Sequence, residues 1–283
     1  MKSVAVIGVG LIGGSLVKDI KRLHPACEII GLDHNDEHLS KALELSLIDR
    51  KGTKADLSDV DLAIIAIPVD QILKSIHDIL NHVGENTVVV DVGSTKSAIC
   101  LQVKDHPKRR NFLAAHPIAG TEFSGPEAAH EGLFEGKTNI ICEVEKTAFK
   151  LQEKVLQLFS DLGMRIRYMD PKAHDKHIAY VSHLSHISAF MLGKTVIEEE
   201  QNERDIFDLA GSGFESTVRL AKSSPEMWAP IFKQNKINVI QTLESYISHL
   251  QNFKDLMKAD DFDGVYKEMK NTNYIKEILK GIK

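Results

Sequence analysis

Cysteine is scarce: the 283 residues contain three, and Cys27, Cys100 and Cys142 form no Cys-x-x-Cys pair. That spacing excludes a disulfide framework and a thiolate-rich zinc site, and it fits a reducing cytoplasm. Tryptophan occurs once, and proline and glycine number 8 and 18. These are too few for a disordered or fibrous chain in which 43% of residues are hydrophobic and 27% charged. There is no basic excess either, since 35 Lys+Arg stand against 40 Asp+Glu for a net charge of -5. A protein that grips nucleic acid along a basic face would show the opposite balance. The run Lys108-Arg109-Arg110 has no interleaved aromatic residue and reads as a solvated loop. No uninterrupted apolar stretch approaches the roughly 18 residues of a membrane helix. The apolar start at residues 4–12 is broken by Gly8 and Gly10 and has no small-x-small cleavage site, so it is not read as a signal peptide. A cytoplasmic protein with no nucleic-acid and no membrane partner is expected.

What the chain does have is alternation. Residues 4–7, 28–32, 61–67, 87–90 and 138–142 are short apolar, mostly β-branched runs, the pattern of strands buried on both faces, and 164–169 is a further strand candidate. Amphipathic stretches such as 14–23 and 70–80 lie between them, which predicts a βαβ series and a parallel sheet. After residue 168 the character changes. Asp170-Pro171 offers an N-cap followed by proline at the first helical position, and the next thirty residues contain one glycine, Gly193, and no proline. Ser224-Pro225 repeats the signal and opens a second long helical stretch, in which Ile240, Leu243, Ile247, Leu250 and Met257 keep three-four spacing. Such a seam can pack against a helix of the same chain or of a second subunit. The expected architecture is α/β: a Rossmann-type doubly wound parallel sheet in residues 1–168, then an all-helical domain in 169–283.

Gly8-x-Gly10-x-x-Gly13 follows the first strand directly and opens the first helix, and Asp33 stands at the end of the second strand. This is the context that a dinucleotide fingerprint requires. Gly8 allows the tight turn, Gly10 lets the backbone approach a pyrophosphate, Gly13 lets helix and strand pack closely, and the helix N-terminus favours negative charge. Asp33 can hydrogen-bond the adenosine ribose and would repel a 2′-phosphate, while His34 and Asn35 supply no arginine to hold one; NAD is therefore favoured over NADP. Leu11 and Ile12 in the turn, and Ile67 and Pro68 at the end of the third run, complete the expected cofactor contacts.

In an open parallel sheet the ligand lies beyond the C-terminal ends of the strands. Ser94, in Asp91-Val92-Gly93-Ser94-Thr95-Lys96, and His116, read as the start of a loop after the apolar stretch 112–115, are the candidates there. A neutral histidine suits the proton that leaves a hydroxyl while hydride leaves carbon. His183 and His186, three apart, can face one cleft. His174 and His177 complete four histidines in thirteen residues, but these two are expected to precede the buried part of the helix and no carboxylate sits at an established ligand spacing, so no metal is expected. Arg219 is a planar fork able to hold a carboxylate, and Trp228 can wall a pocket or fill core.

Taken together, Val6-Ile7-Gly8-Val9-Gly10-Leu11-Ile12-Gly13-Gly14-Ser15-Leu16, Asp91-Val92-Gly93-Ser94-x-Lys96, His116-Pro117-x-Ala119-Gly120-Thr121-Glu122-x-Ser124-Gly125, Ser182-His183-Leu184-x-His186 and Gly211-x-Gly213-Phe214 through Arg219-x-Ala221 to Met227-Trp228 occur in this order. The set resembles the prephenate dehydrogenase family of tyrosine biosynthesis, from residue 4 to about 232. That resemblance implies NAD-dependent oxidative decarboxylation of prephenate to 4-hydroxyphenylpyruvate. His116 would accept a hydrogen bond from the ring hydroxyl, and Ser94 would orient that hydroxyl and the nicotinamide. Arg219 and His186 would bind substrate, with His183, Thr121, Glu122, Gly213 and Trp228 around it, and the helical domain would form a homodimer. Many relatives carry Asp three positions before the arginine, where this chain has Ser216, with Glu215 beside it. Arogenate dehydrogenases share the motifs, so arogenate is the alternative substrate. A β-hydroxyacid dehydrogenase would need a motif lysine on the helical domain, which neither Lys176 nor Lys194 supplies, and would leave His116 without a purpose, whereas a NAD-sensing module that recruits a partner would bind cofactor without turnover.

Overall fold

A computed structural model describes residues 1–281, which form two compact units, one spanning Met1–Asn235 and one beginning at Lys236. In the first unit, strands β1 (Ser3–Ile7), β2 (Glu28–Leu32), β3 (Arg50–Lys51), β4 (Leu62–Ile65), β5 (Val88–Asp91), β6 (Phe112–Pro117), β7 (Thr138–Cys142) and β8 (Arg165–Tyr168) form one sheet. Their spatial order is β3-β2-β1-β4-β5-β6-β7-β8. The order reverses between β1 and β4, which opens a crevice at the C-terminal ends of those strands. Helices α1 (Leu11–Leu23), α2 (Asp36–Glu44), α3 (Val69–His82), α4 (Ser97–Val103) and α5 (Phe149–Asp161) connect the strands.

Both faces of the central strands are covered, which is why they read as continuous apolar runs rather than as alternating ones. On one face Val4, Val6, Leu62, Ile64, Val88 and Val90 pack with Leu16 and Ile20 of α1 and Val155 and Leu158 of α5. On the other, Ala5, Ala63, Ile65 and Val89 pack with Ile72, Ile76 and Ile79 of α3 and Ile99 of α4. The sheet departs from the parallel expectation at one place: β6 and β7 run antiparallel, with His116 opposite Ile140. A parallel return needs a helical crossover, and between these strands the chain forms only the short 3-10 turn Pro126–Ala128. The edge strand β3 was not expected, since Arg50 and Lys51 are both exposed and carry no apolar signal.

Helices α6 (Pro171–Ile178), α7 (Leu184–Glu203), α8 (Ser212–Val218) and α9 (Pro225–Gln234) belong to the same compact unit as the sheet. Asp170 caps α6 by accepting the N–H groups of Lys172 and Ala173 at 2.9 and 3.0 Å, and the Ser224 hydroxyl accepts Met227 N–H at 3.3 Å. Polar ties join these helices to the sheet: Asp175 of α6 accepts the N–H groups of Lys96 and Ser97 at 2.7 and 2.9 Å, and the Thr95 hydroxyl donates to Gln234 at 2.6 Å. The stretch that Ser224-Pro225 opens does not run unbroken to Met257. It stops at buried Asn235, whose amide donates to the Asp175 carbonyl at 2.6 Å.

The second unit contains α10 (Lys236–Lys258), α11 (Phe262–Thr272) and α12 (Ile275–Lys280). Ile240, Ile247, Leu250 and Met257 of the α10 seam are exposed in the single chain. Among the described residues no helix is long and apolar enough to cross a membrane.

Candidate active site

At the β1–β4 crevice the glycines are needed for three different reasons. Gly8 has φ +94°, and a Cβ there would lie 2.4 Å from the Ala66 carbonyl oxygen at the end of β4. A Cβ at Gly13 would lie 2.0 Å from the Gly8 carbonyl oxygen, so only glycine lets α1 approach the turn this closely. Around Gly10 nothing lies within 4 Å of the added atom, and no side chain caps α1 there. The first N–H groups of α1 are thus left for a ligand's negative charge. Asp33, almost fully buried, is fixed beside this turn by Val9 N–H at 3.2 Å and Asn35 N–H at 2.9 Å. Each oxygen keeps a lone pair for a ribose diol. Half-buried Ile67 and exposed Pro68 follow β4 and flank the same turn, Ile67 coming within 2.8 Å of the atom added at Gly8. Leu11 is buried and Ile12 half-buried at the start of α1. This cradle fits a dinucleotide with an unphosphorylated ribose.

A second polar group is assembled at the ends of β5 and β6. Lys96 and Asp91 are fully buried and paired, and the Lys96 ammonium also donates to the Ala115 carbonyl at 2.7 Å, which ties β5 to the residue before His116. Burial pushes the Asp91 carboxyl up, and the Lys96 charge and the Gly93 N–H at 2.7 Å oppose that. His116 lies inside β6 rather than in the loop expected for it, because the strand runs on to Pro117 through its pairing with β7. Its Nδ1 is 2.8 Å from Nε2 of His174, whose Nδ1 is in turn 2.8 Å from Oδ1 of Asp175. No described side chain or backbone group bonds its Nε2. Burial, with His174, Lys96 and His183 nearby, holds the His116 pKa well below the usual histidine range, so the ring is neutral near pH 7. Burial raises the Asp175 carboxyl, but the hydrogen bonds from His174, Lys96 and Ser97 outweigh it and keep the group below the ordinary carboxylate range.

The helix carrying the other histidines is not regular. Between α6 and α7 the chain makes one π turn, Ala179–His183. Along an ideal α-helix the nine residues from His174 to His183 would turn the side chains about 180° apart, at ~100° per residue. One π bulge absorbs a residue and reduces this to about 80°, which brings both rings toward the same side. His183 is 1% exposed, and its Nδ1 accepts the Asn235 amide at 3.2 Å. That leaves Nε2 as the protonated nitrogen, buried and unpartnered among the described residues. Burial lowers its pKa to about 4. His186, its pKa also lowered by burial, stacks on Trp228 with ring centroids 3.6 Å apart, and Trp228 is seated on Val69 and Ile231. Arg219, half exposed, donates to Glu122 at 2.7 Å.

These side chains therefore form a cationic, hydrogen-bonding and aromatic cluster that reaches the β4 end of the crevice where Trp228 packs on Val69. The chain matches two family models: "Prephenate dehydrogenase, nucleotide-binding domain" over residues 16–168 and "Prephenate dehydrogenase, dimerization domain" over 170–271. The chain belongs to the prephenate dehydrogenase family. It is 31% identical to the prephenate dehydrogenase of Bacillus subtilis (strain 168) over 95% of this chain and 73% of that protein. The solved prephenate dehydrogenase of A. aeolicus, in complex with hydroxyphenyl propionate and NAD+, superposes with a TM-score of 0.87 at 32% identity, covering 99% of this chain and 98% of that one. The arogenate dehydrogenase of Synechocystis superposes with a TM-score of 0.77 at 26% identity, over 97% and 99% of the two chains. Like its family, this chain is an oxidoreductase of aromatic amino-acid biosynthesis.

The other residues expected at the site come from separate turns and helices. Half-buried Ser94 occupies the turn between β5 and α4, next to the Thr95–Gln234 contact. The Thr121 hydroxyl accepts the Phe123 N–H at 3.3 Å, and Gly213, exposed near the start of α8, has open space where a Cβ would go. His177 is exposed, whereas His174 is 2% exposed, so the reading that both precede the buried part of the helix is corrected for His174. Asp175, Asn235 and the Lys96–Asp91 pair were not singled out from the sequence. The adjacency of His174 and Asp175 one turn after the Asp170 cap was the available signal, but nothing local shows that β6 lies opposite.

Proposed function

We propose that this chain is a NAD-dependent prephenate dehydrogenase that converts prephenate to 4-hydroxyphenylpyruvate. The observation that carries the reading is His116, buried and neutral at the C-terminal edge of the sheet with Nε2 left to a ligand. His116 takes the proton of the ring hydroxyl as its carbon is oxidised, and returns it to the phenol oxygen once carbon dioxide has left and the ring is aromatic. NAD, when bound in the glycine cradle beside Asp33, supplies the acceptor for hydride. Ser94 orients the hydroxyl, Arg219 holds a substrate carboxylate, His183 Nε2–H donates to the substrate, and Thr121, Glu122, Gly213, His186 and Trp228 shape the pocket. Residues 1–168 bind the nucleotide, and 169–283 bind substrate and form a homodimer, the exposed α10 seam supplying apolar surface. The enzyme acts in the cytoplasm.

The test is reduction of NAD or NADP by purified protein offered prephenate, arogenate and a panel of β-hydroxyacids. Fastest turnover with prephenate and NAD is expected; preference for arogenate, or no turnover, overturns the reading. The name of the Synechocystis relative makes arogenate the necessary comparison.

Two substitutions probe the two ends of the site. Gly13→Ala sets a methyl group against the Gly8 carbonyl and must shift α1 from the turn. NAD affinity measured by titration calorimetry should fall at least about tenfold, a cost of ~1.4 kcal/mol; an unchanged Kd would show that the helix moves freely. Arg219→Ala removes a charge-assisted contact worth about 1.5–3 kcal/mol, so KM for prephenate should rise about 10- to 100-fold. An unchanged KM would take Arg219 out of substrate binding.

A further inference from the structure

The reaction as proposed needs His116 in one particular tautomer. A base that accepts the hydroxyl proton at Nε2 must carry its own proton on Nδ1. The imidazole of free histidine prefers the opposite form, with the proton on Nε2, so something in the fold has to reverse that preference.

We propose that His174, oriented by Asp175, is the positioning residue that holds His116 in its Nδ1–H tautomer and so keeps Nε2 bare toward the substrate. The inference rests on the reading of His116 as the proton acceptor and adds the residues that make it one. A carboxylate only accepts, so the Asp175 contact at 2.8 Å requires a proton on His174 Nδ1. With that as its only proton, His174 presents Nε2 as an acceptor, and the 2.8 Å contact with His116 Nδ1 is donated by His116. The chain of contacts has one direction, from Asp175 outward to the open nitrogen of His116.

Asp175 is itself immobilised. Its Oδ1 accepts Lys96 N–H at 2.7 Å and its Oδ2 accepts Ser97 N–H at 2.9 Å at the start of α4. The Asn235 amide donates to its backbone carbonyl at 2.6 Å. His174 is 2% exposed, too enclosed for water to take over its role at His116. The two rings meet edge to face, with centroids 5.0 Å apart and an interplanar angle of 69°, a geometry that sets the direction of the His116 ring as well as its proton. The device resembles in principle a buried partner that selects a metal-ligating or catalytic tautomer, where loss of the partner costs about 10- to 100-fold in function.

Imidazole nitrogen shifts in ¹⁵N-histidine-labelled full-length protein, with His116 assigned by its absence in His116→Asn, report the tautomer directly. The Nδ1–H form is expected for His116 in the wild type; the Nε2–H form there overturns the proposal even if no variant folds. His174→Phe should shift His116 toward Nε2–H and lower kcat about 10- to 100-fold, with KM for prephenate and Kd for NAD little changed. His174→Gln, whose side-chain oxygen can accept the His116 Nδ1–H, should restore the tautomer and most of kcat. If His174→Phe keeps both tautomer and kcat, or if folded His174→Gln is no better than His174→Phe, the assignment fails. His116→Asn run in parallel separates the two levels: turnover retained there removes the underlying reading, whereas turnover lost there but kept in His174→Phe removes only this inference.

Discussion

His116→Asn is expected to lower kcat by about 10²–10⁴-fold, the range for losing a general acid–base group, while KM for prephenate stays within a few-fold. Asparagine retains a hydrogen-bonding group of similar reach but cannot take up the hydroxyl proton, so the loss falls on the chemical step. The environment makes the effect large. His116 sits in a strand with its backbone paired to β7 and its Nδ1 engaged by His174, so its ring is held in place. Because burial keeps the ring neutral well below pH 7, turnover should stay near its maximum as the pH falls from 8 through 6, the window in which an ordinary histidine would protonate and lose activity. Steady-state rates across that range, for wild type and variant, check both statements. A variant that keeps most of its kcat would show that the proton leaves by another route.

Lys96→Met is expected to cost about 3–5 kcal/mol of stability, since it leaves Asp91 fully buried without its counter-charge. At about 2–4 °C per kcal/mol for a unit of this size, the unfolding midpoint should drop by roughly 6–20 °C. The deficit should shrink as the pH is lowered. Burial already holds the folded-state pKa of Asp91 above its unfolded value, and loss of the Lys96 charge raises it further, so the added penalty is full at neutral pH and fades as the carboxyl takes a proton. The double variant Asp91→Asn with Lys96→Met keeps an acceptor for the Gly93 N–H, removes the orphaned charge and should recover much of the loss. Calorimetry of the two variants at pH 5 and 7 decides this. Equal stability of Lys96→Met and wild type would mean that water reaches Asp91. Since the Lys96 ammonium also holds the Ala115 carbonyl, the same substitution should loosen the strand end that carries His116.

Much of the nucleotide half is readable without coordinates because its determinants are local. Gly8, Gly10 and Gly13 follow the strand they terminate, and Asp33 ends the next one, so spacing alone states which backbone must be tight and which carboxylate stands beside the turn. Caps are local too, and Asp170-Pro171 and Ser224-Pro225 start helices where the sequence places them. The antiparallel β7 was out of reach, because an apolar run such as Thr138–Cys142 looks the same in either direction and only the missing crossover helix decides. The same limit misplaced His116: strand length past residue 115 depends on having β7 to pair with.

The substrate end is different in kind. The groups proposed for it come from β6, the turns after β5 and β6, α6, the π turn, α7, α8 with the turn after it, and α9, and each side chain has a respectable bland role when viewed alone. His174 and His177 are three residues apart and chemically identical, yet one is buried against His116 and the other is exposed. Lys96 reads as an ordinary surface cation until the fold closes over it. By itself, then, the order of residues determined the sheet class, the cofactor cradle and the inventory of reactive side chains, because those follow from periodicity, turn chemistry and ordered motifs along the chain. Which histidines meet, which nitrogen is left bare and which charges are sealed from water were decided only by tertiary structure, since hydrogen bonding and desolvation act between groups that the sequence keeps tens of residues apart.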